Sequence, residues 1–186
     1  MSKGKLFVIS GASGVGKSTV LNQVMAKRQD LTFSVSATTR NPRPGEQDGV
    51  HYYFITVEAF QKMIEEDAFV EYDGHMKHFY GTPRAQLEEK LTRSNVILDI
   101  EPNGAFCVRK TRPDATLIFI APPSMEELER RLRNRGDTNE DQIRVRLERA
   151  EWEIAQAPKY DYTVINGEVE TCADEILNII AQKADN

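Results

Sequence analysis

An α/β fold built on a parallel sheet is what this sequence predicts, and three observations carry it. Short apolar runs recur along the chain: Leu6-Phe7-Val8-Ile9, Val96-Ile97-Leu98, Thr116-Leu117-Ile118-Phe119-Ile120 and Tyr162-Thr163-Val164-Ile165. Strands buried on both faces of a parallel sheet read this way. Helical periodicity falls between and after these runs, which implies right-handed crossovers. The first run opens into Gly11-Ala12-Ser13-Gly14-Val15-Gly16-Lys17-Ser18. That is the G-x-x-x-x-G-K-[ST] spacing of a P-loop, with a strand before it and a helix after it.

In order, the helix from Lys17 sets Val20, Leu21, Val24 and Met25 on one apolar stripe. Phe33 to Thr38 alternates as a strand and ends in Thr39-Arg40-Asn41-Pro42-Arg43-Pro44-Gly45-Glu46, a loop that the two prolines keep extended. His51 to Ile55 reads as a strand, Val57 to Asp67 as a helix with Phe60, Met63 and Ile64 inward, and Phe69 to Tyr72 as a short strand. His78 to Pro83 reads as a turn, and Pro83 suits the first turn of a helix running to about Leu91. The strand at Val96 ends on two carboxylates, Asp99 and Glu101. Further helices are expected from Ser124, as N-cap, to about Arg135, from Glu140 to Ala157 and from Thr171 to about Gln182. Residues 34–83 break the strand–helix rhythm and read as a lobe inserted over the C-terminal edge of the sheet, where α/β ligand sites form.

Composition narrows the function. A chain of 186 residues, 40% hydrophobic and 28% charged, fits one globular domain. Its net charge of −5 argues against a general polyanion-binding surface, so no nucleic-acid polymer is expected as a partner. No apolar run approaches the roughly 20 residues of a membrane span, and Met1-Ser2-Lys3-Gly4-Lys5 leads straight into the first strand without a secretion signal. Cys107 and Cys172 follow no metal spacing and read as buried or free thiols of a reducing compartment; the three histidines form no zinc pattern. A cytoplasmic protein without a membrane partner is expected. Oligomeric state stays open.

The P-loop chemistry is specific. Its glycines bring backbone N–H groups close to an anion, and the helix N-terminus adds partial positive charge. Lys17 is expected on the β- and γ-phosphates of a nucleotide, with the Ser18 hydroxyl on Mg²⁺. Arg40 and Arg43 flank Pro42 and offer guanidinium forks to a second phosphate; the alternative is a pair of solvated arginines. Tyr52 and Tyr80 either donate hydroxyls to that phosphate or serve as amphipathic core. Glu71 and Glu101 are carboxylate acceptors for a ligand edge that carries N–H donors; otherwise Glu71 is solvated and Glu101 structural. Asp99 sits as the acidic residue of a Walker B-like strand that would hold Mg²⁺ through water.

Gly11–Ser18, the run Ser34–Glu46 and Gly49-Val50-His51-Tyr52-Tyr53-Phe54 closely resemble guanylate kinases. So do Phe69-Val70-Glu71, Phe79-Tyr80-Gly81-Thr82-Pro83, Arg131-Leu132-Arg133-Asn134-Arg135-Gly136 and Lys159 to Asn166. The resemblance covers nearly the whole chain. It implies a P-loop kinase core with a parallel sheet (residues 1–33, 84–133 and 150–186), an inserted GMP-binding lobe (34–83) and a helical lid (134–149). The implied reaction is direct in-line transfer from ATP, with Mg²⁺, to GMP, as part of purine nucleotide metabolism; acceptance of dGMP is left open. Carried over by position, Gly11, Ala12, Ser13, Gly14, Val15, Gly16, Lys17, Ser18, Thr19 and Asn166 would contact ATP. The GMP phosphate would meet Ser36, Arg40, Arg43, Tyr52 and Tyr80, and the base Glu71, Thr82 and Glu101. Asn166 before Gly167 also suits a simple turn. Arg131 and Arg135 fall i,i+4 on one helix. Arg144 and Arg146 project about 200° apart on the next, so one of them faces the phosphates; the resemblance selects Arg146. These arginines and Lys17 would stabilise the transferring phosphoryl group. Where the family usually runs L-[DE]-I-D and then Q-G, this chain has Leu98-Asp99-Ile100-Glu101-Pro102-Asn103-Gly104, one methylene longer at the base reader. A related sugar-phosphate kinase is a rival that does not need Glu71 and Thr82. A non-catalytic guanylate-kinase-like module binding phosphorylated peptides is another; it expects a degraded P-loop, whereas Gly16, Lys17 and Ser18 are intact here.

Overall fold

Every residue of β1 (Leu6–Gly11) is buried, as a central parallel strand requires. In the computed structural model, which describes residues 4–75, 77–134 and 139–184, β1 lies between β7 (Asn95–Asp99) and β8 (Thr116–Ala121). β2 (Leu31–Phe33) and β9 (Tyr162–Ile165) flank them, all five strands parallel in the order β2-β7-β1-β8-β9. Side-chain alternation splits the core. Phe7 and Ile9 pack on one face against α1 (Lys17–Lys27) and α7 (Val169–Ala184), while Leu6 and Val8 pack on the other against α3 (Arg84–Leu91) and α4 (Pro102–Thr111).

The inserted segment folds as a second, mixed sheet in the order β4-β3-β6-β5. Its strands are β3 (Ala37–Thr38), β4 (Tyr53–Phe54), β5 (Phe69–His75) and β6 (His78–Pro83), backed by α2 (Val57–Glu65). Phe60 of α2 stacks on Phe69 and Phe79, with ring centroids 4.4 and 5.5 Å apart. This aromatic trio gives the lobe a core of its own and leaves the opposite face of β5 and β6 to the site. Thr56 caps α2 by accepting from the Ala59 N–H at 3.1 Å.

Three expectations are corrected. The strand read as Phe33–Thr38 is two strands in different sheets: β2 ends at Phe33 in the core, and β3 begins at Ala37 in the lobe. The turn at His78–Pro83 is strand β6, paired antiparallel with β5. The segment after Glu101, assigned no element, is helix α4 with Pro102 in its first turn, where the missing N–H costs nothing. Two helices complete the chain: α5 (Met125–Asn134) and α6 (Glu140–Ile154). The expected lid boundary at 149/150 falls inside α6, which runs unbroken and buries Ala150 and Glu153.

Candidate active site

The register sets Ile9 beside Asp99, so the P-loop leaving β1 and the carboxylates leaving β7 start side by side. Gly16 takes φ 92° at the N-terminus of α1, a left-handed turn that a side chain would strain. Lys17 follows it and forms an ion pair with Asp99. Burial alone would lower the Lys17 pKa; Asp99, Glu101 and Glu153 together outweigh it and hold the ammonium above the ordinary lysine value.

Lys17 and Asp99 form one wall of a cavity of about 270 Å³, and Ser36, Arg40, Arg43, Tyr52 and Tyr80 form another. Glu71, Glu101 and Gly104 line it as well. Lys17, the five residues expected at the acceptor phosphate, and Glu71 and Glu101 therefore converge on a single space. On its acceptor side, Arg40 is oriented before any ligand arrives. Its guanidinium forks onto Glu46 at 2.8 and 2.9 Å and lies over the Tyr52 and Phe54 rings, 5.3 and 5.7 Å from their centroids. The Arg40 guanidinium and the Arg43 N–H lower the Glu46 carboxyl to about 2, so Glu46 is ionised throughout the physiological range. Tyr52 meets Tyr80 edge-on, 6.0 Å between centroids, and burial raises the Tyr52 hydroxyl pKa, leaving it a proton donor.

On the base side, Glu71 is buried and accepts from the Thr82 hydroxyl at 2.6 Å. Desolvation raises its pKa to about 7, against the opposing hydrogen bond from Thr82. Gly104 of α4 closes the space behind it: a Cβ there would stand 2.5 Å from Glu71 Oε2. Thr82 itself does not line the cavity; it orients the carboxylate that does.

Glu101 reaches the cavity through a network absent from the sequence reading. Arg149 of α6 donates to Glu101 Oε2 at 3.2 Å and to Glu153 Oε1 at 2.8 Å. Glu153, with its side chain 1% exposed, accepts from the Ser13 N–H of the P-loop at 2.6 Å. Burial pushes Glu101 up, but Lys17 and Arg149 more than offset it and hold the carboxyl below its ordinary value. Glu153 is raised, by desolvation first and also by the negative charge of Glu101. Ser13, one of the residues expected at ATP, thus donates its N–H to a protein carboxylate in this structure.

Two more of the expected residues make contacts within the protein. Asn166 is 2% exposed, and its amide donates to the Val15 carbonyl at 2.8 Å, bracing the P-loop. Arg131 donates to the Asn166 and Gly167 carbonyls at 3.0 and 3.1 Å and to Glu127 at 2.8 Å. Its guanidinium also lies 3.4 Å from the Val15 carbonyl, on the same brace. Arg146 is half-buried on α6; Arg135 lies outside the described residues.

Gly11 closes β1, Ala12, Gly14 and Val15 lie in the loop, and Ser18 and Thr19 lie in the first turn of α1. Ser18 and Asp99 open together onto a second cavity of about 310 Å³ beside Ser36 and Tyr52. A hydroxyl and a carboxylate are hard oxygen donors, and among the described residues no group of three or more His, Cys, Asp or Glu side chains could cage a metal. That donor set fits Mg²⁺, which keeps several waters and shares phosphate oxygens.

Sequence reasoning overlooked Glu46, Asp73, Arg149 and Glu153. Glu46 carried a signal, since a proline-stiffened loop with two arginines needs an acid to hold one in place. Asp73 carried another, standing two residues from Glu71 on the same strand face. The Arg149–Glu153 pair is i,i+4, but nothing in that spacing points to the P-loop.

A family model for guanylate kinase matches residues 3–183. The chain is 49% identical over 179 residues to a guanylate kinase of Thermus thermophilus, covering 96% of this chain and 81% of that one. It is 46% identical to one from a Synechococcus species, covering 94% and 81%. A guanylate kinase structure from Anaplasma phagocytophilum superimposes with TM-score 0.81 at 34% identity, covering 100% of this chain and 88% of that one. A Sinorhizobium meliloti gluconokinase, at TM-score 0.53 and 19% identity, shares the fold. With an intact P-loop facing Arg40 and Arg43 of the lobe across one cavity, and with these likenesses along its length, the chain belongs to the guanylate kinase family.

Proposed function

We propose that this protein transfers the γ-phosphoryl group of ATP directly to a phosphate oxygen of GMP, giving ADP and GDP. The observation that carries the reading is the convergence of Lys17, the Arg40–Arg43 pair and the buried Glu71 on one cavity of about 270 Å³. Lys17 would exchange Asp99 for the donor phosphates, and the released Asp99, with Ser18, would hold Mg²⁺. Bound Mg²⁺ supplies neutralisation of phosphate charge. Arg40, kept in register by Glu46, meets the acceptor phosphate with Arg43, Ser36, Tyr52 and Tyr80. Glu71, oriented by Thr82, accepts from the guanine edge, and Glu101 offers a second acceptor held by Arg149. Arg146 and Arg135 supply the remaining positive charge from the lid, while Arg131 and Asn166 act by stiffening the P-loop. A purine-nucleotide role in the cytoplasm agrees with this chemistry and with the free thiols at Cys107 and Cys172.

The test is ADP release measured across GMP, dGMP, AMP, UMP and ribose bisphosphate. GMP is expected to be the best acceptor. Lys17→Ala is expected to abolish turnover while GMP binding survives, because Lys17 serves the donor phosphates. Preference for the sugar bisphosphate, or a Lys17→Ala variant retaining more than a few per cent of turnover, would overturn the assignment.

A further inference from the structure

Asp73 has no role in the reading above, yet it lines the cavity together with Glu71 and Tyr80. Its position follows from strand register. β5 and β6 pair Glu71 with Thr82 and Asp73 with Tyr80. Glu71 and Asp73 are two residues apart, so both point to the same face, about 6.8 Å from each other along the strand. The first pair carries the base-reading carboxylate and its hydroxyl. The second carries a phosphate-binding tyrosine with a carboxylate opposite. A purine nucleotide laid across these two rungs, base on Glu71 and phosphate on Tyr80, sets its sugar over Asp73.

The carboxylate is also held in place. Asp73 Oδ1 accepts from the Gly74 N–H at 2.7 Å, and Oδ2 accepts from Asn103 Nδ2 at 3.2 Å. Asn103 lies in the first turn of α4, so this bond ties the lobe strand to the core. An ionised carboxylate has about four acceptor positions; each Asp73 oxygen therefore keeps room for another donor. A ribose presents hydroxyl donors there, and a 2′-deoxyribose has lost one of them.

We propose that Asp73 is a specificity-determining residue that accepts a hydrogen bond from the ribose and so favours GMP over dGMP. This rests on the base and phosphate placement proposed above. A half-buried carboxylate left facing a deoxyribose has neither water nor a donor in full measure, and sites built around a substrate hydroxyl discriminate strongly against its absence.

The experiment compares kcat/KM for GMP and dGMP in the wild-type protein, Asp73→Ala and Asp73→Asn, with GMP and AMP compared in wild type and Glu71→Gln. The wild type is expected to prefer GMP by about 10- to 100-fold, the span of one hydrogen bond to a charged acceptor. Asp73→Ala should bring the two nucleotides within about twofold, mainly through loss on GMP. The isosteric Asp73→Asn, which keeps the fold and a neutral acceptor, should fall between. A wild-type protein indifferent to the 2′-hydroxyl, or Asp73 variants that lose equally on GMP and dGMP, overturns the assignment. If Glu71→Gln leaves the GMP-to-AMP ratio unmoved, the base placement itself is wrong and the Asp73 assignment falls with it. A shifted Glu71→Gln ratio beside an unmoved GMP-to-dGMP ratio in Asp73→Ala overturns the Asp73 role alone.

Discussion

Alanine at position 104 should separate stability from substrate reading. Gly104 sits in the first turn of α4, and an added Cβ would stand 2.5 Å from Glu71 Oε2 and 3.2 Å from its Cδ. The carboxylate must retreat by about 0.5 Å or more to pass the 3.0 Å below which Cβ contacts are essentially never found. It cannot swing away freely, because Glu71 is 7% exposed and bonded to Thr82 at 2.6 Å. Two effects then compete in stability. Gly→Ala in a helix contributes at most about 1 kcal/mol, and less near the N-terminus. Straining or losing the hydrogen bond to the carboxylate costs about 1.5–3 kcal/mol. The net is a loss of roughly 0.5–2 kcal/mol, or about 1–8 °C in melting temperature for a domain of this size. Displacing the same carboxylate removes the hydrogen bonds it offers guanine, so kcat/KM for GMP should fall about 10- to 100-fold. AMP, which does not use them, should fall far less. The assay is steady-state ADP release with both acceptors, beside thermal unfolding of each protein. A Gly104→Ala protein with wild-type kcat/KM for GMP would refute the argument that α4 sets the position of Glu71.

Two more outcomes follow from the same groups. The Glu71 carboxyl titrates near 7 in the folded protein against about 4.5 when exposed, so the native state holds this proton more tightly than the unfolded chain. The associated stability is complete below about pH 4.5 and lost as pH rises through about 7, at most about 3 kcal/mol in all. Glu71→Gln should therefore lose less melting temperature between pH 5 and pH 8 than the wild type does; equal slopes would count against a buried, proton-retaining Glu71. Glu153→Ala removes the acceptor on the Ser13 N–H and the carboxylate that Arg149 meets at 2.8 Å. Leaving the Ser13 N–H without its acceptor costs about 1–3 kcal/mol, and the half-exposed Arg149 adds little. A melting temperature within a degree of wild type, together with an unchanged KM for ATP, would show that the P-loop does not depend on this carboxylate.

What the sequence by itself determined were the features written in local pattern. The P-loop was legible because its glycines, lysine and serine act within one turn of chain. The central strands were legible because strands covered on both faces must be continuously apolar, and β1 and β8 are buried at every position. Arg40, Arg43, Tyr52, Glu71 and Tyr80, which line one cavity, could be named from the run of chain that carries them. Tertiary structure decided which atoms those residues spend on one another. Arg131, expected at the transferring phosphoryl group, and Asn166, expected at ATP, also bond to backbone around the P-loop, tying α5 and the end of β9 to it. Glu101 is committed to Arg149, and Ser13 to Glu153, through contacts that span more of the chain than any local spacing can encode. The break between β2 and β3 and the helix α4 escaped pattern reading for a related reason. A two-residue strand such as β3 carries too little periodicity to show where it begins, and a helix opening on Pro-Asn-Gly is stabilised by the packing of Gly104 and Ala105 against β5 and the core rather than by its own propensity.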